Sequence, residues 1–148
     1  MWALKLPDAC RLPGEGAPLD VVSRILALRV IAVVGLSPKP DRPSHYVSEY
    51  LKEHGYTIVP VNPGQKNLLG EVCWPSVAGI PFPVDVVAVF RRPEEALTPI
   101  LEAIAKQAKA VWLQDGVYHE EGERLAREAG LLVVSNDCLM RRHSRLAR

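Results

Sequence analysis

The stretch Val30-Ile31-Ala32-Val33-Val34-Gly35-Leu36-Ser37-Pro38-Lys39-Pro40-Asp41-Arg42-Pro43-Ser44 decides the architecture. Its first five residues are apolar, mostly β-branched, and end at a glycine. Such an unbroken run predicts a strand buried on both faces, the kind found in parallel sheets covered by helices. Beyond Gly35 the chain turns polar, with two hydroxyls and three charged side chains among prolines. Pro43 suits the first turn of a helix. Ser44 to His54 predicts that helix, with Tyr46, Val47, Tyr50 and Leu51 on one stripe and Gly55 just past its end. A strand feeding a helix through such a loop presents the helix amides to an anion.

The same alternation continues in both directions. Leu19 to Leu28 spaces its apolar residues as a short helix. Tyr56 to Val61, Val84 to Phe90, Ala110 to Leu113 and Leu131 to Val134 predict further strands. Leu69 to Trp74 predicts a short edge strand. Pro93 to Lys106 and Glu120 to Ala129 predict helices. Pro99 is tolerable in the first of these only near its start. The expected fold class is therefore α/β, an open parallel sheet of five to six strands with helices on both faces. The ligand crevice of such a sheet lies at the carboxyl ends of its strands.

The chain has 148 residues, 48% hydrophobic and 24% charged, with 18 basic and 17 acidic side chains for a net charge of +1. One domain over 1–148 is expected, with 1–18 as an N-terminal extension and 137–148 as a basic C-terminal tail. The balanced charge argues against a nucleic-acid partner, and no apolar run is long enough for a membrane span. Pro7 and Asp8 interrupt the N-terminus where a signal peptide would need an apolar core, so a cytoplasmic location is expected. Cys10, Cys73 and Cys138 are odd in number and show no metal-ligand spacing, which points to reduced thiols and no metal.

The strand-end loops hold the candidate chemistry. Gly35 permits close approach of a ligand, Ser37 and Ser44 offer hydroxyls, and Lys39 and Arg42 offer charge, so this loop is read as a phosphate site. A nicotinamide dinucleotide site would need GxGxxG and an acid after the second strand. This loop has one glycine, and the second strand runs into Val61-Asn62-Pro63-Gly64 with Lys66 beyond. A nucleotide phosphorylated on its ribose fits better. The GxxxxGK[ST] loop of nucleotide hydrolases is absent. Arg91 and Arg92 could meet phosphate or pair with Glu94 and Glu95. Gln114 could bond a ligand, and Gly116 allows close approach. His119 and Cys138 also follow strand ends, but no nucleophile, base and orienting group recur at workable spacing. Catalysis by this chain alone is therefore not expected.

Read in order, Gly35-Leu36-Ser37, Arg42-Pro43-Ser44, Gly55-Tyr56, Val59-Pro60-Val61-Asn62-Pro63, Val84-Asp85, Phe90-Arg91-Arg92-Pro93 and Trp112-Leu113-Gln114-x-Gly116 resemble the stand-alone CoA-binding proteins of bacteria. That Rossmann-like family is similar to the CoA-binding domain of the succinyl-CoA synthetase alpha subunit. The resemblance runs from Leu19 to Leu146. It implies coenzyme A or an acyl-CoA as ligand, with Gly35, Ser37 and the Arg42 to Ser44 segment facing the pyrophosphate. It places Val61, Asn62, Pro63 and Lys66 beside the adenosine and its 3′-phosphate. Phe90 and Arg91 would border the crevice, and Gln114 and Gly116 would lie toward the pantetheine arm. The family usually carries Asp-Arg-Cys after the last strand and Glu shortly beyond; here Asn136, Asp137 and Arg142 take the Asp, Arg and Glu positions, and Cys138 is kept. Three functions stay open: a CoA-binding protein without turnover, a CoA-presenting component of a multi-subunit ligase or acyltransferase, and an NADP-like nucleotide sensor. A homodimer or another protein partner is compatible with each.

Overall fold

The computed structural model describes residues 17–146; Cys10 and most of the N-terminal extension lie outside them. In chain order the elements are α1 (Leu19–Leu26), β1 (Val30–Val34), α2 (Pro43–Glu53), β2 (Thr57–Val61), β3 (Asn67–Leu68), β4 (Glu71–Val72), β5 (Val86–Val89), α3 (Leu97–Ala105), β6 (Ala110–Leu113), α4 (Glu120–Glu128), β7 (Leu132–Val134) and α5 (Leu139–Leu146). The main sheet has five strands in the order β2-β1-β5-β6-β7, all parallel. It is an α/β, Rossmann-like sheet.

Alternation along each strand divides the core in two, because successive side chains point to opposite faces. Ala32, Val34, Val87, Val89, Val111 and Leu113 pack with Ile100, Ala103 and Ala126 of α3 and α4. Ile31, Val33, Val86, Ala88, Ala110 and Trp112 pack with Val22, Ile25, Val47, Leu51 and Leu139 of α1, α2 and α5. Helices therefore cover both faces, and the continuous apolar runs follow from that.

Two departures have clear causes. Of the stretch expected to give an edge strand, Leu69 to Trp74, only Glu71–Val72 is a strand: it is β4 of a separate antiparallel hairpin with β3, next to a bridge between Val61 and Trp74. Pro60 inside β2 is tolerated because β2 is an edge strand. The helix expected from Pro93 divides into a 3-10 turn at Pro93–Glu95 and α3. Pro99 then falls in the first turn of α3, where its missing N–H would have had no helical partner.

The amino ends of the strands are tied by Asp85. Its carboxylate accepts from the backbone N–H of Val30 at 2.9 Å and of Arg29 at 3.2 Å. Burial would raise the Asp85 pKa, but these two amides and Lys109 outweigh it and hold the carboxyl below its ordinary range. The carboxyl ends border a crevice.

Candidate functional site

Chain direction reverses across β1: the chain passes from β1 to its neighbour β2 and then crosses back to β5 on the other side. Loops leaving β1 and β5 diverge at that switch point, where open α/β sheets bind ligands. A crevice of about 710 Å³ lies there.

The β1–α2 loop forms one wall. Gly35 has φ +87°, and a side chain there would sit 3.0 Å from the Phe90 carbonyl oxygen and 3.1 Å from Arg91 Nε. The glycine thus lets the Arg91 side chain lie across the loop. The Ser44 hydroxyl accepts from the Ser37 N–H at 2.9 Å, and the Ser37 hydroxyl accepts from the Lys39 N–H at 3.1 Å. His45 Nδ1 lies 2.7 Å from the Ser37 carbonyl oxygen. Asn62 donates to the Leu36 carbonyl at 2.9 Å and accepts from the Gly64 N–H at 2.9 Å. The loop is thus shaped by its own hydroxyls and by Asn62. Lys39, Arg42 and Arg91 form no ion pair among the described residues. Arg92 instead pairs with Glu94 and Glu95.

The opposite wall is built by β6, β7 and the start of α5. Trp112 is fully buried, and its indole N–H donates to the Asp137 carbonyl at 3.0 Å. Gln114 Oε1 accepts from the Leu139 N–H at 3.1 Å. The Gly116 N–H donates to Asn136 Oδ1 at 2.8 Å, where Asn136 adopts φ 53°. The Trp-x-Gln-x-Gly element therefore fastens β6 to the β7–α5 loop at three successive points.

Below that loop lies a charge network. Asp137 is 0% exposed and accepts from Arg142 Nε at 2.9 Å and Arg141 Nη2 at 3.4 Å. Arg142 also donates to the Ala17 carbonyl at 2.9 Å. Arg141 reaches both oxygens of Asp115, at 3.0 and 2.8 Å, and hydrogen bonding to Asp115 holds its guanidinium firmly protonated. Asp137 and Arg142, which the resemblance sets at positions usually held by Arg and Glu, pair with each other. The basic stretch expected to be a tail is part of the fold.

The structure brings Gly35, Ser37, Lys39, Arg42, Pro43, Ser44, Phe90, Arg91, Gln114 and Gly116 into the crevice wall. It does not bring Val61, Asn62, Pro63 or Lys66 into that wall. Val61 is 2% exposed, in the core, and the Asn62 side chain bonds the Leu36 carbonyl of the loop. Tyr46 and Val47 of α2, Cys138, and Met140 and Arg141 of α5 also line the crevice. The α2 pair was readable from helical spacing, since Tyr46 and Val47 stand three and four residues after Pro43. The α5 residues required knowing that β7 lies beside β6. His119 caps α4 instead of facing a ligand: its Nδ1 accepts from the Gly122 N–H at 3.0 Å, and Glu123 accepts from the His119 N–H at 2.9 Å.

This is the geometry of a Rossmann-like α/β domain with a crevice at its strand ends, with cations, hydroxyls and a helix N-terminus on one side and a hydrogen-bonded wall on the other. The profile of the CoA binding domain family matches residues 29–144, and the chain belongs to that family. It is 40% identical over 114 residues to the uncharacterised Bacillus subtilis protein YneT, covering 77% of this chain and 84% of that one. A solved structure of a Pyrococcus horikoshii OT3 protein is 42% identical, with a TM-score of 0.87 over 93% of this chain and 98% of the other. An ADP-forming acetate–CoA ligase of Archaeoglobus fulgidus is 27% identical over 128 residues, which are 80% of this chain but 19% of the ligase. The chain thus corresponds to a small part of that ligase. No helix among the described residues is long and apolar enough to cross a membrane.

Proposed function

We propose that this protein binds coenzyme A or an acyl-CoA in the crevice at the carboxyl ends of β1, β5 and β6, and does not turn it over alone. The observation that carries the reading is the wall around the β1–α2 loop: Lys39, Arg42 and Arg91, which have no ion-pair partner among the described residues, line the crevice with Ser37 and Ser44 at the N-terminus of α2. A pyrophosphate there would take charge-assisted hydrogen bonds and the favourable end of the helix dipole. Phe90, Gln114 and Gly116 would flank the pantetheine arm. The adenosine 3′-phosphate would lie toward Lys66, which is exposed and not part of the crevice wall. A cytosolic setting, where CoA is found, fits this reading.

Isothermal titration of ligand-stripped protein with CoA tests it, at two temperatures so that a zero-enthalpy crossing is not mistaken for no binding. Saturation near one CoA per chain is expected. No saturable heat at either temperature would overturn the proposal. Replacing Lys66 by Ala should weaken CoA more than dephospho-CoA, by the ~1.5–3 kcal/mol typical of a hydrogen bond to a charged group. Equal losses for both ligands would remove Lys66 from the 3′-phosphate. An NADP-like ligand is less well suited to a loop with a single glycine, and competition against CoA discriminates the two.

The likeness to a segment of an acetate–CoA ligase favours a second reading, in which the chain presents CoA to a separate protein that performs acyl transfer. Co-purification with such a protein, and acyl-CoA formation only when both are present, would support it.

A further inference from the structure

We infer that the crevice selects an acyl-CoA with a short, uncharged, apolar acyl group, seated against Val117, Cys138 and Met140, over free CoA. The inference rests on the CoA reading above and narrows its ligand class. With the pyrophosphate on the β1–α2 wall, the pantetheine arm ends against the β6–α5 wall. The surface of that second wall then selects what the ligand's sulfur carries.

The β6–α5 wall has used its polar atoms internally. Gln114 Oε1 accepts from the Leu139 N–H, and the Gly116 N–H donates to Asn136. Both oxygens of Asp115 are taken by Arg141. Arg141 Nε, which has no partner among the described residues, is wholly buried and so is withheld from a ligand. The backbone is engaged as well. The Val117 N–H donates to the Gln114 carbonyl at 2.8 Å, and the Val117 carbonyl accepts from the Asn136 N–H at 3.0 Å. The Cys138 N–H donates to Asp137 Oδ1 at 2.8 Å. The side chains of Val117, Cys138 and Met140, which line the crevice with these residues, are left as apolar surface. Apolar lining with few polar groups is what holds an apolar ligand group.

One donor remains in this wall. Because Gln114 must present its oxygen to the Leu139 N–H, its amide nitrogen lies on the other branch of the side chain. That nitrogen has no hydrogen-bond partner among the described residues, and Gln114 lines the crevice. It can donate to the carbonyl of a thioester, an acceptor that the free thiol lacks. A carboxylate on the acyl group would fare worse. Arg141 is already matched by Asp115, so the charge would lose its water without gaining a partner. The cations without ion-pair partners, Lys39, Arg42 and Arg91, belong to the opposite wall. The apolar patch is also small, since Val117 and Cys138 are each 6% exposed. It covers only the first few carbons of a chain, with the flexible Met140 thioether adapting to them.

The test is titration of the ligand-stripped full chain with CoA, acetyl-CoA, butyryl-CoA, octanoyl-CoA and succinyl-CoA. Butyryl-CoA should bind more tightly than acetyl-CoA, and acetyl-CoA more tightly than CoA. The gain should be about fourfold for each further methylene that is buried, and it should level off before octanoyl-CoA. Succinyl-CoA, with as many acyl carbons as butyryl-CoA, should bind more weakly than it. Met140→Gln should compress the ratio of butyryl-CoA to acetyl-CoA affinity, and Met140→Leu should preserve it. If CoA saturates the protein but butyryl-CoA binds no more tightly, or succinyl-CoA binds more tightly than butyryl-CoA, the acyl selection is refuted while the CoA reading stands. A ratio unchanged in Met140→Gln would remove the acyl group from this wall and overturn the inference as well. If none of the five ligands saturates the protein, both readings fall.

Discussion

The two walls of the crevice are each rich in cations but spend them differently. On the β1–α2 side, Lys39, Arg42 and Arg91 face the opening without a carboxylate partner among the described residues. On the β6–α5 side, Arg141 and Arg142 are engaged by Asp115, Asp137 and the Ala17 carbonyl. The first wall keeps its charge available for a ligand, and the second uses its charge to hold the fold in place. The same residue types are therefore left without acidic partners on one side and tied into the architecture on the other, decided by whether an acid is within reach.

The sharpest way to break this contrast is to act on the closed wall. Asp137 is fully buried and the Arg142 side chain is 11% exposed, so removing one partner strands a charge in the interior. Asp137→Ala or Arg142→Ala should each cost about 3–5 kcal/mol of stability, read from the urea midpoint. Reversing the pair gives a stricter test. Asp137→Arg and Arg142→Glu should each destabilise strongly, whereas the double variant should recover much of the loss by restoring a pair of opposite charges in reversed order. A double variant no better than the worse single one would show that the pair depends on its surroundings, through the Cys138 amide and Ala17, more than on mutual attraction.

Acting on the open wall should give the reverse pattern. Arg91→Ala removes a cation with no carboxylate partner, so its unfolding midpoint should stay close to the parent protein. CoA affinity should drop by ~1.5–3 kcal/mol if Arg91 reaches a phosphate, and the drop should shrink as salt rises. A variant that loses stability but keeps its affinity would place Arg91 with the structural cations and erase the distinction between the walls.

How much of this was legible in the sequence follows the same division. The β1–α2 wall is local: Val30 to Ser44 contains the strand, the turn glycine, the hydroxyls and the helix start in one continuous stretch. The five strands of the main sheet were equally readable, because burial on both faces demands unbroken apolar runs such as Val30–Val34 and Val86–Val89. The β6–α5 wall joins residues far apart, as in the bonds from Trp112 to Asp137 and from Gln114 to Leu139. Those contacts exist only because β7 pairs with β6. The basic run at Arg141–Arg145 therefore read only as part of a basic C-terminal tail, whereas Arg142 is buried against an acid five residues earlier. Asn62 stands just after a strand end, where the resemblance puts a ligand residue, and what the sequence did not show is that its side chain bonds the Leu36 carbonyl.

The smallest effect tests how α5 is held against α2, and hence how firmly the closed wall is anchored. His143 of α5 sits among Tyr50, His54 and Tyr56. Its Nδ1 is 2.8 Å from the Tyr50 hydroxyl, and its ring centre lies 5.0 Å from that of His54 and 5.7 Å from that of Tyr56. Burial and the neighbouring His54 hold the His143 pKa below its usual 6.5. Because the folded value is the lower one, the unfolded chain binds this proton first as pH falls. The contribution of His143 is thus fully present above 6.5 and declines as pH drops from there toward the folded value. Stability measured by denaturant from neutral into mildly acidic pH should fall less steeply in His143→Gln, which can keep a hydrogen bond to Tyr50 but cannot titrate. The other histidines are common to both proteins, so only the difference in slope matters. Identical slopes would mean that the α2–α5 contact accommodates the imidazolium, and that the closed wall is secured by the Asp137–Arg142 pair rather than by this aromatic cluster.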